Sequence, residues 1–275
     1  MFKLDGKIIM KQNLHTHSIY CDGKDTIEEM VQEAIVKKFD VLGFSGHGHC
    51  EIDTCSMSIE NTKKYIHDVL SAKEKYKNII SIHLGIEQDM LGRLETKMPF
   101  EYVIGSKHFL KKIPIDYSKD VFKELFESYH CDFVSLCKDH YSDVSNMANW
   151  DEVDIIGHLD LITKFNEDES FWRFDDEKYM KIVCDCIDRL ISSHKIFEVN
   201  TGAIARGYRT TPYPYKNILE YLNQHQAKIC LNSDCHDKKK LDCAYDLSMD
   251  LIQSSGFKEM QILTGDGFKS VAFLK

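Results

Sequence analysis

Short apolar runs alternate with longer amphipathic segments along almost the whole chain, and this alternation restricts the fold more than any other feature. Runs at 8–14, 41–44, 79–86, 102–105, 154–157, 196–199 and 229–231, with a weaker one at 260–263, have the length and apolar content of strands. Between them, apolar residues recur at helical spacing over 26–38, 59–76, 120–138, 175–194, 215–224 and 241–254. Thr26 with Glu29 forms a capping-box signature, and Asp175 opens a segment whose Ile182, Val183 and Cys186 fall on one stripe. Strand–helix repetition of this kind builds a mostly parallel α/β sheet. The absence of a Pro/Gly-rich linker favours one closed or nearly closed barrel, a single domain over 1–275. With 43% apolar residues in 275 the core can be large, and 29% charged residues with only 4 Pro exclude a disordered or collagen-like chain. No stretch approaches the roughly 18 uncharged apolar residues of a membrane helix, and the first residues lack a secretory apolar region, so a soluble, cytoplasmic protein is expected. A net charge of -9 provides no general field for nucleic acid, unless metal ions or local Arg and Lys reverse its sign. Nothing in the pattern fixes an oligomeric state.

Two counts stand out, 10 Cys and 13 His. The cysteines contain no CxxC pair, and Cys184 and Cys186 stand alone in a predicted helix, so they read as reduced core filler or bystanders. The histidines collect where parallel α/β folds gather functional groups, beyond the carboxyl ends of strands. Reading the strand ends in order gives His15-Thr16-His17 with Asp22-Gly23, Gly46-His47-Gly48-His49, Gly85-Ile86-Glu87, and Lys107-His108-Phe109. Then follow Gly157-His158-Leu159-Asp160, Glu198-Val199-Asn200-Thr201-Gly202 and Asn232-Ser233-Asp234-Cys235-His236.

His15 and His17 leave the same face of an extended segment and can converge on one cation. A lone strand-end histidine is usually a hydrogen-bonded core or loop residue, Asp22-Gly23 alone is an ordinary turn, and Asp234 alone could be a helix cap. Six histidines (15, 17, 47, 108, 158, 236) and three carboxylates (Asp22, Glu87, Asp234) on one rim form a pattern those separate explanations do not reach. His49 and the remaining histidines read as bystanders. The imidazole and carboxylate donors suit Zn, Mn or Fe, and nine candidates exceed what one ion needs. Glu87 is the natural bridge, since a carboxylate can hold two metals roughly 3.5–4 Å apart.

The ordered set HxH at 15–17, Asp-Gly at 22–23, His47, Gly-x-Glu at 85–87, His108-Phe109, Gly-His-x-Asp at 157–160 and Ser-Asp-x-His at 233–236 resembles the polymerase and histidinol phosphatase (PHP) superfamily of metal-dependent phosphoesterases. The segments IIGHLDLITKF and FEVNTGAIARGY are similar to those of its stand-alone histidinol-phosphate phosphatases. The resemblance implies a distorted (β/α)7 barrel with three divalent metal ions at its C-terminal mouth. It implies that His15, His17, Glu87 and Asp234 hold one metal, Glu87, His108 and His158 a second, and Asp22, His47 and His236 the third. The sequence departs from the family in reading Gly46 where an acidic residue commonly precedes the histidine, which removes an outer acceptor for His47.

The expected reaction is hydrolysis of a small phosphate monoester, L-histidinol phosphate, by hydroxide generated on the metals, which also neutralise the phosphoryl oxygens. No cysteine or serine nucleophile is required. Asp234 is the expected proton acceptor and His236 a candidate donor to the leaving alcohol. Arg206 is the candidate phosphate clamp, because a guanidinium fork matches two phosphoryl oxygens, with Lys107 and Arg173 as secondary candidates. Asp160, Glu51 and Tyr208 are candidates for the amino end of the substrate. Competing readings are a phosphatase for protein phosphotyrosine or a nucleotide, and a C–N hydrolase of amidohydrolase type.

Overall fold

The computed structural model of the chain describes residues 2–4, 7–92 and 98–273. An antiparallel hairpin of β1 (Phe2–Leu4) and β2 (Lys7–Ile9) precedes β3 (Gln12–Asn13). The predicted strand over 8–14 is therefore interrupted at 10–11, where the Lys11 amide leaves the ladder to donate to Asp40 Oδ2 at 2.7 Å. Next come β4 (Val41–Phe44), β5 (Ser81–Asp89) and β6 (Tyr102–Ser106), a small hairpin of β7 (Phe109–Leu110) and β8 (Ile113–Pro114), then β9 (Ile155–Ile156), β10 (Ile196–Asn200) and β11 (Lys228–Asn232). Seven of these strands pair in parallel in the order β11-β10-β9-β6-β5-β4-β3.

The two ends of that sheet meet just beyond β3 and β11, and the barrel closes there. The His17 amide donates to the Cys235 carbonyl at 2.8 Å, the Cys235 amide to the His15 carbonyl at 3.1 Å, and the Leu14 amide to Asn232 Oδ1 at 2.8 Å. The weaker predicted strand near 260 forms, but as part of an antiparallel hairpin, β12 (Glu259–Thr264) with β13 (Gly267–Ala272), outside the barrel. Gln12 fastens it there: its side chain donates to the Gln261 carbonyl at 3.2 Å and accepts from the Leu263 amide at 2.7 Å.

The barrel interior is filled from one side by Tyr102, whose hydroxyl donates to the carbonyls of Leu14 and Phe44. Gly85 on the neighbouring strand makes this possible, since a Cβ there would lie 2.2 Å from the tyrosine ring. Helices α1 (Ile27–Val36), α2 (Ile59–Tyr76), α3 (Lys119–Ser128), α4 (Phe133–Asn146), α5 (Glu177–Ser192), α6 (Gly202–Ala205), α7 (Lys216–Gln224) and α8 (Tyr245–Ser254) surround the strands. Thr26 and Glu29 form the expected capping box on α1, and α5 starts at Glu177, two residues later than read, with Asp176 in place of Asp175 as its cap. Tyr179, Val183, Cys186, Ile187 and Leu190 make up the buried stripe of α5, each large apolar side chain contributing about 1.5–3 kcal/mol by leaving water. The single helix expected over 120–138 is two. His130 and Cys131 take positive φ angles of 55° and 59°, which end α3, and Asp132 caps α4 through the Val134 amide. All ten cysteines are free thiols, and no helix among the described residues is long and apolar enough to cross a membrane.

Candidate metal centre

The parallel strands all point their carboxyl ends at one mouth, and the ligand-type residues follow them there. β3 leads into His15 and His17, β4 into His47, β5 carries Glu87, β6 leads into His108, β9 into His158, and β11 into Asp234 and His236. Asp22 returns over the mouth on a tight turn in which the Gly23 amide donates to the Ser18 carbonyl at 3.1 Å. A Cβ at Gly23 would sit 2.4 Å from the Ser18 nitrogen, so only glycine fits.

Glu87, fully buried, is the hub. Its Oε1 accepts from Ser106 Oγ at 2.6 Å and lies 3.0 Å from His158 Nε2 and 3.4 Å from His108 Nε2. Its Oε2 lies 3.0 Å from His47 Nδ1, 3.2 Å from His15 Nε2 and 3.5 Å from His17 Nε2. Asp234 Oδ1 is 3.3 Å from His17 Nε2 and 3.7 Å from His15 Nε2. Asp22 lies 3.1 Å from His236 Nε2, 3.7 Å from His47 Nε2 and 3.5 Å from His17 Nδ1, and the rings of His17 and His236 stack at 3.9 Å. All nine residues singled out in the sequence are thus brought together. Overlapping subsets of them, each with donor atoms within 4.8 Å of one another, have the composition of cation sites.

Unsatisfied atoms test whether a cation fits. His15 Nε2, His17 Nε2 and Glu87 Oε2 are buried without a hydrogen-bond partner, and all three converge on the same point. Such an arrangement costs free energy unless positive charge is supplied, and a divalent ion supplies it. The ionisation pattern agrees. Burial opposes charge on His15 and His47, yet the facing carboxylates outweigh it and raise both, Glu198 leading for His15 and Glu87 for His47. His108 rises to about 9 against burial, through Glu87 and Asp89. His17, buried between His236 and His47, is pushed down to about 3. Glu87 and Asp234 are held well below the usual carboxylate range despite burial, Glu87 by His15, His47 and His108, Asp234 by Arg206 and His15. Two ligand-type residues also have positive φ, His158 at 22° and Asp234 at 50°, a strain that surrounding contacts must hold.

Behind these residues lies a supporting layer that the strand-end pattern did not single out. Glu198 accepts from His15 Nδ1 at 2.7 Å, and Asp89 accepts from the His108 amide at 2.8 Å and lies 3.3 Å from its Nδ1. The Gly46 departure is filled by sulfur, since a Cβ there would meet Cys21 Sγ at 3.2 Å and Met57 beyond it.

The mouth opens into a cavity of about 930 Å³. His47, His108, His158, Asp234 and His236 line its floor, and Ile52, Tyr117 and Tyr208 stand exposed on its rim. Arg206 lines one wall, donating from Nη2 to Asp234 Oδ2 at 2.8 Å and from Nη1 to the Asp234 carbonyl at 3.3 Å. Beside it is Lys164, which sequence reasoning passed over although it lies in the IIGHLDLITKF segment. Its ammonium is nearly buried and donates to the Asp116 carbonyl at 2.6 Å and Oδ2 at 3.2 Å.

Two predicted phosphate-binding residues lie elsewhere. Lys107 runs into the protein to pair with Asp143 on α4 and does not line the cavity. Arg173 is on an exposed loop, its guanidinium spent on neighbouring Asp175 through two bonds of 2.8 Å. Of the candidates for the substrate's amino end, Tyr208 lines the cavity. Asp160 is buried in a separate network with Thr163, the Tyr215 amide and Arg209, and Glu51 is exposed outside the lining. His49 is a bystander, its Nδ1 3.2 Å from the Met57 carbonyl.

Residues 13–202 match the sequence model of the PHP domain. A Schizosaccharomyces pombe protein named "Probable histidinol-phosphatase" is 24% identical over 272 residues, covering 90% of this chain and 87% of its own length. The histidinol-phosphatase of Bacillus subtilis is 22% identical, covering 86% of this chain and 98% of its own. Among solved structures, the histidinol phosphate phosphatase of Lactococcus lactis, crystallised with zinc, L-histidinol and phosphate, superposes with a TM-score of 0.72. It is 19% identical and covers 94% of this chain and 98% of its own.

Proposed function

The chain belongs to the PHP domain family, and from that premise we propose that it is a metal-dependent phosphomonoesterase whose substrate is L-histidinol phosphate, hydrolysed to L-histidinol and phosphate. The observation that carries the phosphatase reading is the convergence of unpartnered His15 Nε2, His17 Nε2 and Glu87 Oε2 at the floor of an open cavity. Support for the substrate comes from relatives that span most of this chain and carry the histidinol-phosphatase name.

His15, His17, Glu87 and Asp234 would hold one divalent ion, Glu87, His108 and His158 a second, and Asp22, His47 and His236 a third, with Zn, Mn or Fe suited to this donor set. Bound there, such ions neutralise phosphoryl oxygens and lower the pKa of water toward about 7. The chain's own groups do the rest. Glu87, whose two oxygens face different imidazoles, would be shared between two of these ions. Arg206, anchored by Asp234, presents its guanidinium to the cavity as a clamp for phosphoryl oxygens, and Lys164 adds a second fixed cation on the same wall. Asp234 takes the proton of the attacking water. His236 would hold an ion through Nε2, which faces Asp22 at 3.1 Å, with Nδ1 3.0 Å from the Asp234 carbonyl and 3.2 Å from Arg206 Nη1, and it is the candidate donor of a proton to the leaving alcohol. The exposed tyrosines of the rim offer flat apolar walls to an imidazole ring.

The deciding experiment is a substrate panel on metal-reconstituted protein. Histidinol phosphate is expected to exceed p-nitrophenyl phosphate in kcat/KM by at least about a hundredfold. Equal turnover of the two, or preference for a phosphotyrosyl peptide or a nucleoside monophosphate, overturns the substrate assignment. Amide hydrolysis without phosphatase activity overturns the reaction class.

A further inference from the structure

Glu198 stands on β10 beneath the mouth, with no exposed surface, and belongs to none of the cation groups. Its two oxygens accept four hydrogen bonds. Oε1 receives His15 Nδ1 at 2.7 Å and Asn232 Nδ2 at 3.0 Å, while Oε2 receives the His158 amide at 2.9 Å and Asn200 Nδ2 at 2.8 Å. Every partner donates, so the position requires a group that only accepts. A glutamine there would turn an NH2 toward one pair of donors.

What these bonds fix lies on the other side of each partner. With Nδ1–H given to Glu198, the His15 ring presents Nε2 to Glu87 Oε2 at 3.2 Å and Asp234 Oδ1 at 3.7 Å. At His158 the bond reaches the backbone of a residue whose φ is 22°, and the ring beyond it places Nε2 3.0 Å from Glu87 Oε1. One carboxylate thereby sets two imidazoles against the two different oxygens of the bridging glutamate. It shares no hydrogen bond with Asp22, His47 or His236.

We infer that Glu198 is the positioning residue for the two cation positions that share Glu87, and not for the one formed by Asp22, His47 and His236. The inference rests on the metal reading of the cluster. Carboxylates that hold a ligand imidazole from behind fix its ring and tautomer, and losing them weakens metal binding by about 10–100-fold.

The test compares wild type with Glu198→Gln, each stripped with a chelator, reloaded with Zn²⁺ and titrated against a competing chelator with elemental analysis. The variant is expected to retain the Asp22/His47/His236 ion at wild-type affinity and to bind the others about 10–100-fold more weakly. Raising free Zn²⁺ is expected to restore its kcat with KM unchanged, a rescue that a merely structural role would not give. Wild-type affinity at all positions overturns the inference, as does equal loss of every ion without rescue by Zn²⁺. If Glu198→Gln does not fold, Glu198→Asp, too short to reach both His15 and the His158 amide, is scored by the same two outcomes. Wild-type protein that binds no Zn²⁺ overturns the metal reading itself.

Discussion

Lys164 and Arg173 show how little a basic residue's chemistry says about its use. Lys164 lines the cavity beside Arg206 with its ammonium held by Asp116, whereas Arg173 is exposed and paired with Asp175. A charge-assisted hydrogen bond is worth about 1.5–3 kcal/mol, so Lys164→Gln is expected to lower kcat/KM by about 10–100-fold with metal content unchanged, and Arg173→Gln to alter neither; steady-state kinetics with elemental analysis check both. Glu101 makes a second residue-scale case, remote from the mouth. Its carboxylate accepts from the Leu84 amide at 2.9 Å and Lys73 Nζ at 2.6 Å, and lies 3.0 Å from His83 Nδ1. Burial works against the charge, but these partners outweigh it and bring the pKa down from 4.5 to about 2. Because the folded value is depressed, the stabilisation is complete above about pH 4.5 and disappears as pH falls through about 2. Urea midpoints of Glu101→Gln are therefore expected to lie below wild type at pH 7, to approach it as pH falls below about 4.5 and to converge with it only near pH 2. The nine ligand-type residues were legible because each follows an apolar run at the same strand end. Glu198 is read among the strand-end residues but not counted with the ligands, because it lies in a strand buried at every position, and the sequence does not say whether such a side chain reaches a cation or stands behind the imidazoles that do.

The elements were legible where periodicity had no competitor. The reading of α2 over 59–76 and of β4 over 41–44 coincides with the structure. It failed at 129–132, where amphipathic spacing continues through a chain reversal made by His130 and Cys131 instead of glycine, so no breaker marks the boundary between α3 and α4. It failed again near 260, because an apolar run does not reveal whether it joins a barrel or a separate hairpin. Packing between elements is equally silent in sequence. Gly85 faces the Tyr102 ring across two strands, and Gly85→Ala is expected to cost about 2–4 kcal/mol in urea denaturation. Gly265→Ala, whose added methyl meets nothing within 4 Å, should stay within about 0.5 kcal/mol of wild type.

For the whole molecule, the acidic balance of -9 matters less than where charge is concentrated. Buried Glu87 and Asp234 face imidazoles that cannot all carry protons at neutral pH without repelling one another, so bound divalent ions stabilise the folded state selectively. Chelation is expected to lower Tm by roughly 5–10 °C, and readdition of Zn, Mn or Fe to restore it, as scanning calorimetry would record.

The barrel has no regular ladder between its first and last strands; it is joined there by the amides of His17 and Cys235. The residues flanking that seam, His15 and His17 on one lip, Asp234 and His236 on the other, are ligand-type side chains. Ions bound between the lips would act as a clasp on the closure itself, so opening of that seam and the emptying of the site become one event. Amide hydrogen exchange at His17 and Cys235 should then slow in step with metal occupancy, while amides between β4 and β5 on the far wall exchange at the same rate with or without it.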